Sequence, residues 1–173
     1  MAKQSQTVRI TPLGGVGEIG KNMTVIECGG EMLIIDCGLC FPREDMLGVD
    51  YVIPDITHLR KHKDKIRAVL ITHGHEDHIG ATPYLLPELG APVYATDLTL
   101  ALIENKLVEH KIEGVALNVI KPGESFKAGA FTVDAIKVTH SIDAAVGFAI
   151  RTPAGTIVHT GDFKVDHTPV DGR

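Results

Sequence analysis

At 173 residues the chain fits one domain able to bury a real hydrophobic core. Hydrophobic content of 44% and charged content of 23% are those of a soluble globular protein, and no apolar run reaches the roughly 20 residues of a membrane helix. The net charge of −5, with histidines neutral, excludes a bulk basic surface for nucleic acid, so metals or another domain would have to supply positive charge to any polyanion.

The start, MAKQSQT, has no signal-peptide core, and three cysteines without secretory context point to reduced thiols and a cytoplasmic protein. TVRIT (7–11) alternates as a strand does. In GGVGEIGKN, Gly15, Gly17 and Gly20 spell the G-x-G-x-x-G of a dinucleotide site, and Asp36 stands near the expected ribose-binding distance. Such a site needs a helix directly after its glycines, because the helix N-terminus holds the pyrophosphate. Only Lys21 and Asn22 separate Gly20 from the β-rich MTVIEC (23–28), so the glycines form a tight loop and bind no dinucleotide. MTVIEC and EMLIID (31–36) flank Gly29 and Gly30, a hairpin signal with a primed turn.

Residues 37–55 read as irregular. Cys37 and Cys40 form a C-x-x-C without the second pair of a zinc site, and Phe41-Pro42 follows where a redox pair needs a helix, so both read as small, partly buried residues. Asp55 is a candidate N-cap for a short helix over 56–63. IRAVLIT (66–72) is apolar throughout, as a strand covered on both faces would be. A helix is expected over 79–89 despite Pro83 and Pro87, a strand at PVYAT (92–96) and a helix over 97–111. LNVI (117–120), FTVDAIKVT (131–139), VGFAIRT (146–152) and TIVHTGD (156–162) complete the chain as strands. This order predicts an α/β (α+β) fold, a mixed sheet with helices packed outside.

The chemistry concentrates in THGHEDHIG (72–80), where His73, His75, Asp77 and His78 lie within six residues directly after a buried strand. In an extended turn i and i+2 share a face, so His73 and His75 can bind one metal together. Asp77 and His78, in the first turn of a following helix, would face a neighbouring position about 3.5–4 Å away. Histidines and carboxylates without thiolate suit zinc, with manganese as the alternative. His140 and Asp162 close later strands, where functional groups tend to sit. His73, His75 and His140 would form a three-histidine site; Asp77 and His78 the second; Asp162 a bridge between them. His58, His62, His110, His159 and His167 lack partner spacing and are read as non-ligands.

H-x-H-x-D-H, the later His140 and Asp162, and Asp36 ahead of them resemble the metallo-β-lactamase fold, an αββα sandwich with a dinuclear metal site at one edge. From Thr7 to Asp166, the runs LGGVGEIGKNMTVIE, EDMLGVDYVIPDIT, THGHEDHIGA, THSI and GTIVHTGDFKVD are similar to the bacterial ribonuclease J family of the β-CASP nucleases. The resemblance implies metal-assisted hydrolysis of RNA in processing and decay, 5′-to-3′ from a 5′-monophosphate end and also internally. It implies two Zn²⁺ (or Mn²⁺), with Asp77, His78 and Asp162 catalytic and Asp77 also a proton acceptor. Asp36 would orient a ligand histidine or cap a loop, and Lys164 would meet a phosphate or remain solvated. After His140-Ser141-Ile142 the family commonly has Pro-Asp, where this chain has Asp143-Ala144.

Family members continue into an inserted β-CASP domain, the rest of the lactamase fold and a C-terminal region that forms homo-oligomers. Residues 1–173 are therefore expected to be the N-terminal part of a sandwich incomplete in this chain, with the last histidine of the second metal and the 5′-phosphate pocket elsewhere. Two other readings are a thioester or lactone hydrolase on the same fold, and a metal-binding fragment without activity of its own.

Overall fold

The β-rich runs assemble into two sheets in a computed structural model that describes residues 7–169. The first sheet has the sequential order β1 (Val8–Gly14), β2 (Met23–Cys28), β3 (Glu31–Ile35), β4 (Ile66–Leu70), β5 (Val93–Ala95) and β6 (Leu117–Val119). The second runs β10 (Gly155–His159), β9 (Val146–Thr152), β8 (Phe131–Lys137), β7 (Ser125–Ala128). Strands β1 to β3 pair antiparallel, β3 to β6 parallel, and the second sheet is antiparallel throughout. The parallel pairs need crossovers, which α1 (Thr57–Arg60), α2 (Glu76–Ile79), α3 (Thr82–Leu89) and α4 (Asp97–Glu109) supply.

Alternation along the strands builds two cores. Val25, Ile34, Val69 and Val93 point toward the helices and meet Leu59, Leu86 and Ile103. Ile26, Leu33, Ile35 and Leu70 point the other way, against Phe131, Phe148 and Ile150 of the second sheet. β4 contributes to both, as its unbroken apolar run implies. All four helices bury their residues in the first core and none in the second. The described residues thus form three layers, helix, sheet and sheet, of the expected four. None of their helices is long and apolar enough to cross a membrane.

Met23 opens β2 with only two residues between it and Gly20, so no helix follows the glycines, and Gly29 and Gly30 take φ of 61° and 83°, the pair of positive values a primed hairpin turn needs. Asp55 does accept the Thr57 N–H (2.8 Å), but the helix stops at Arg60, since the polar run to Lys65 offers no apolar stripe to extend it. Of the helix expected over 79–89, residues 82–89 form α3, whereas Ile79 ends α2. Pro83 has no N–H for the Ile79 carbonyl, and the Thr82 hydroxyl donates to that oxygen instead (2.6 Å). Strand β7 was not anticipated. SFKA has weak β-propensity, and its pairing with β8 through the Gly129-Ala130 turn is what orders it.

One polar contact ties the two sheets at the end of the sandwich away from the strand ends that carry the histidines. Glu31, at the start of β3, accepts the Ala130 N–H (2.6 Å) and the Arg67 Nε–H (2.7 Å). The Ala130 N–H, then Arg67, hold its carboxyl below the ordinary glutamate value of 4.5. Because the folded value lies below the unfolded one, the stabilisation is complete above pH 4.5 and drains away as pH falls through the lowered value. Glu31→Gln is expected to unfold about 1 kcal/mol more easily than the parent in urea at pH 7. The difference should shrink steadily in titrations at lower pH; a gap independent of pH would refute the electrostatic origin.

Candidate metal centre

β3 and β4 run parallel, with Leu33 to Ile35 paired to Ala68 to Leu70 after a shift at Met32, so their C-terminal ends deliver Asp36 and Thr72 to one edge. Asp36 donates its N–H to the Leu70 carbonyl (2.8 Å) and turns the chain with φ +64°, a conformation that costs energy for any residue but glycine. Its side chain is 3% exposed. A buried carboxylate needs hydrogen-bond donors, and both oxygens here have them. Oδ1 accepts the Thr72 N–H (2.8 Å), the Thr72 hydroxyl lies 3.0–3.1 Å from both oxygens, and Oδ2 lies 2.8 Å from His78 Nδ1.

These contacts decide where two imidazole protons sit. A carboxylate only accepts, so His78 Nδ1 carries the proton and its Nε2 is the free lone pair of the neutral ring. The Thr72 hydroxyl gives its single proton to Asp36, so its oxygen accepts from His73 Nδ1, 3.0 Å away. His73 Nε2 is then also a lone pair. One buried carboxylate thereby aims two imidazoles outward.

The chain bends at Gly74 and is extended at His75 (φ −75°, ψ 151°) before α2, which brings the rings of His73 and His75 edge to face with centroids 4.7 Å apart. His73 Nε2 lies 3.0 Å from His75 Nδ1, and His140 Nε2 lies 3.2 Å from the same atom. Asp77 and His78 fall in the first turn of α2, as expected. His78 Nε2 is 3.6 Å from Asp77 Oδ2 and 3.5 Å from Asp162 Oδ2. Two groups of donor atoms, each within 4.8 Å, could hold a cation: His73, His75, His140, and His73, His78, Asp162. Asp77 lies beside the second group rather than inside it, and Asp162 joins His78 but not His75 and His140. Neither group includes another histidine.

The donor set fits a divalent cation. Burial, then the neighbouring His78, pushes His73 down to about 3, so it stays an unprotonated donor at neutral pH. Burial, then His75, also lowers His140. For His78 burial opposes protonation most, yet the Asp36 hydrogen bond and the charges of Asp36, Asp77 and Asp162 together outweigh it and raise the pKa. Concentrated negative charge that raises an imidazole pKa also attracts a metal ion.

Backbone contacts lock the 76–78 turn against residues 22–39. Asn22 N–H donates to the Asp77 carbonyl (3.0 Å), Cys37 N–H to His78 (2.8 Å) and Leu39 N–H to Glu76 (3.2 Å). Gly38 is required here, because an added Cβ would lie 1.6 Å from the Asp77 carbonyl oxygen. Cys37 and Cys40 are free thiols. Burial pushes the Cys37 thiol far above its usual range, which leaves it unreactive at neutral pH. From the second sheet, Val146 N–H donates to Thr72 O (2.9 Å) and Lys164 N–H to Thr139 O (2.8 Å), fixing the segments that carry His140 and Asp162. Lys164 Nζ pairs with Asp166 (2.6 Å), the solvated reading of that lysine. Sequence reasoning passed over Thr72 and Asn22. Both stood inside quoted motifs, but nothing in the spacing shows that a threonine hydroxyl relays a carboxylate to a histidine.

Asp36→Asn tests the relay, since asparagine tolerates the left-handed backbone yet cannot accept from every donor present. The expected loss is about 1–3 kcal/mol in denaturant titrations. In the parent protein, two-dimensional nitrogen-15 spectra should show His73 and His78 protonated at Nδ1. Nε2–H tautomers in either ring would contradict the relay.

Three comparisons with known proteins bear on this centre. The chain is 51% identical over 167 residues to ribonuclease J of Helicobacter pylori, a match covering 95% of this chain and 24% of that protein. It is 50% identical over 174 residues to ribonuclease J of Thermus thermophilus, covering 96% of this chain and 30% of that one. The chain therefore spans less than a third of the length of these relatives. Its fold is similar to a metallo-β-lactamase fold protein from Bacillus subtilis, with a TM-score of 0.64 at 19% identity over 95% of this chain and 66% of the other. Residues 32–171, which include all six residues expected as ligands, match the beta-lactamase superfamily domain, and the chain belongs to that superfamily.

Proposed function

We propose that the chain is the metal-binding part of a longer, metal-dependent ribonuclease that hydrolyses RNA phosphodiester bonds. The observation that carries the reading is the convergence of two donor groups on His73 at one edge of the sandwich. A single imidazole lone pair serves one cation, and His73 Nε2 lies 3.0 Å from His75 Nδ1. His73, His75 and His140 are therefore assigned to one ion, and His78, Asp77 and Asp162 to the other, with Asp162, which groups with both His73 and His78, proposed as the link between them. Nitrogen and oxygen donors without thiolate favour zinc, with manganese as the alternative. Ions held there would activate water and offset the phosphate charge that the net −5 of the chain repels. Asp77, with a side chain 36% exposed, is placed to take up a proton, and Asp36 keeps His78 oriented throughout.

Half identity to ribonuclease J along nearly the whole chain weighs for a nuclease over a thioester or lactone hydrolase. The same reading extends to attack from 5′-monophosphorylated ends together with internal cleavage, to rRNA processing, and to a cytoplasmic setting that suits three free cysteines. It places the 5′-phosphate pocket and the homo-oligomer contacts in parts of the longer protein outside this chain.

The longer protein should degrade 5′-monophosphorylated RNA only with divalent metal. Asp77→Ala should slow it by about 10²–10⁴-fold. Faster turnover of a thioester than of RNA would overturn the substrate assignment. RNA digestion by the 173 residues alone, lost in Asp77→Ala, would instead show that this chain suffices.

A further inference from the structure

The glycine-rich loop that opens the sequence binds no dinucleotide, yet it is built tightly around one side chain. We infer that Asn22 is a positioning residue: its amide sets the geometry of Asp77 and His78, and with it the affinity of the second donor group for its cation. The inference rests on the metal-dependent reading above.

Asn22 Nδ2 lies 3.1 Å from the Asp77 carbonyl oxygen, 3.2 Å from Asp77 Oδ2 and 3.1 Å from His78 Nε2. The amide has two protons for these three acceptors. One goes to the carbonyl, and the other lies between the carboxylate and the imidazole. A cation that takes the His78 lone pair leaves that proton wholly to Asp77, so the carboxylate is gripped as the imidazole is released.

Asp77 needs such a grip. It stands in the first turn of a four-residue helix, and its carboxylate is more than one-third exposed. Among the described residues its carboxylate has one hydrogen-bond donor, Asn22. An amide holds it without neutralising it, whereas a lysine or arginine would offset the charge that draws the metal.

The loop fixes the amide from behind. Asn22 is anchored through its own backbone, donating to Asp77 O and accepting from Gly38 N–H, both at 3.0 Å. Gly15, at φ +83°, leaves room for the side-chain oxygen: a Cβ there would lie 2.2 Å from Asn22 Oδ1. The same loop and side chain line a cleft of about 320 Å³ that reaches Asp36, His78 and Asp162. Side-chain substitution at Asn22 leaves the backbone anchors in place, and Gly15→Ala displaces the amide while leaving it in the chain.

Zinc titration of the 173-residue chain against a chromophoric chelator separates the two ions, with melting temperature in excess chelator as a second readout. Asn22→Ala should weaken the second equivalent by about 10–100-fold, leave the first unchanged and leave the metal-free melting temperature near that of the parent. Gly15→Ala should shift the second equivalent in the same direction, which keeps the test decisive should Asn22→Ala fold poorly. Unchanged affinity for the second equivalent in both variants overturns the inference alone. Parallel loss of both affinities and of melting temperature reduces Asn22 to a structural role and overturns it too. A parent chain that takes up one equivalent alone overturns this inference and leaves the second ion to the longer protein.

Discussion

The carboxylate of Asp36, buried at the end of β3, accepts from Thr72 and His78 and so determines which nitrogen of two neighbouring imidazoles is free. Burying a charge is costly unless every lone pair finds a donor, and the donors here are the same groups that face the candidate metals. Selection for a stable fold and for an oriented donor set therefore act on one contact. The left-handed backbone at Asp36 belongs to this arrangement, since it sends the side chain under β4 while its N–H still caps the sheet through Leu70.

The two sheets divide the work. The first, parallel where β3 meets β4, presents Asp36, Thr72 and the His73–His78 turn from adjacent strand ends. The second brings His140 and Asp162 from loops after β8 and β10, and it is held to the first at this edge by Val146 donating to Thr72. Thr72 thus sits where both sheets and both rings meet: its carbonyl belongs to one contact, its N–H and hydroxyl to the other. The inter-sheet core behind it, with Phe131 and Phe148 fully buried, keeps this edge rigid.

Much of this was legible in the sequence because periodicity and spacing report it directly. The hairpin at Gly29-Gly30, the doubly covered β4 and the four candidate donors clustered at 73–78 follow from local patterns. The absence of a helix after Gly20 was equally local, and it separated a turn-forming glycine loop from a nucleotide site. What escaped was set by tertiary structure. β7 exists only because β8 pairs with it, and the break before α3 depends on Thr82 replacing the N–H that Pro83 lacks. Within the site, the grouping of His73 with both sets of donors, the Thr72 relay and the reach of Asn22 across 55 residues to Asp77 depend on which chains lie side by side. No spacing rule encodes that.

Zinc-edge anomalous diffraction from crystals grown with zinc tests most directly whether Asp36 aims the two imidazoles at separate ions. Two peaks are expected. One should lie about 2.0–2.1 Å from His73 Nε2 with His75 and His140 around it, and the other at the same distance from His78 Nε2. A single ion bonded to both Nε2 atoms, or any ion bonded to Nδ1 of His73 or His78, would contradict the arrangement.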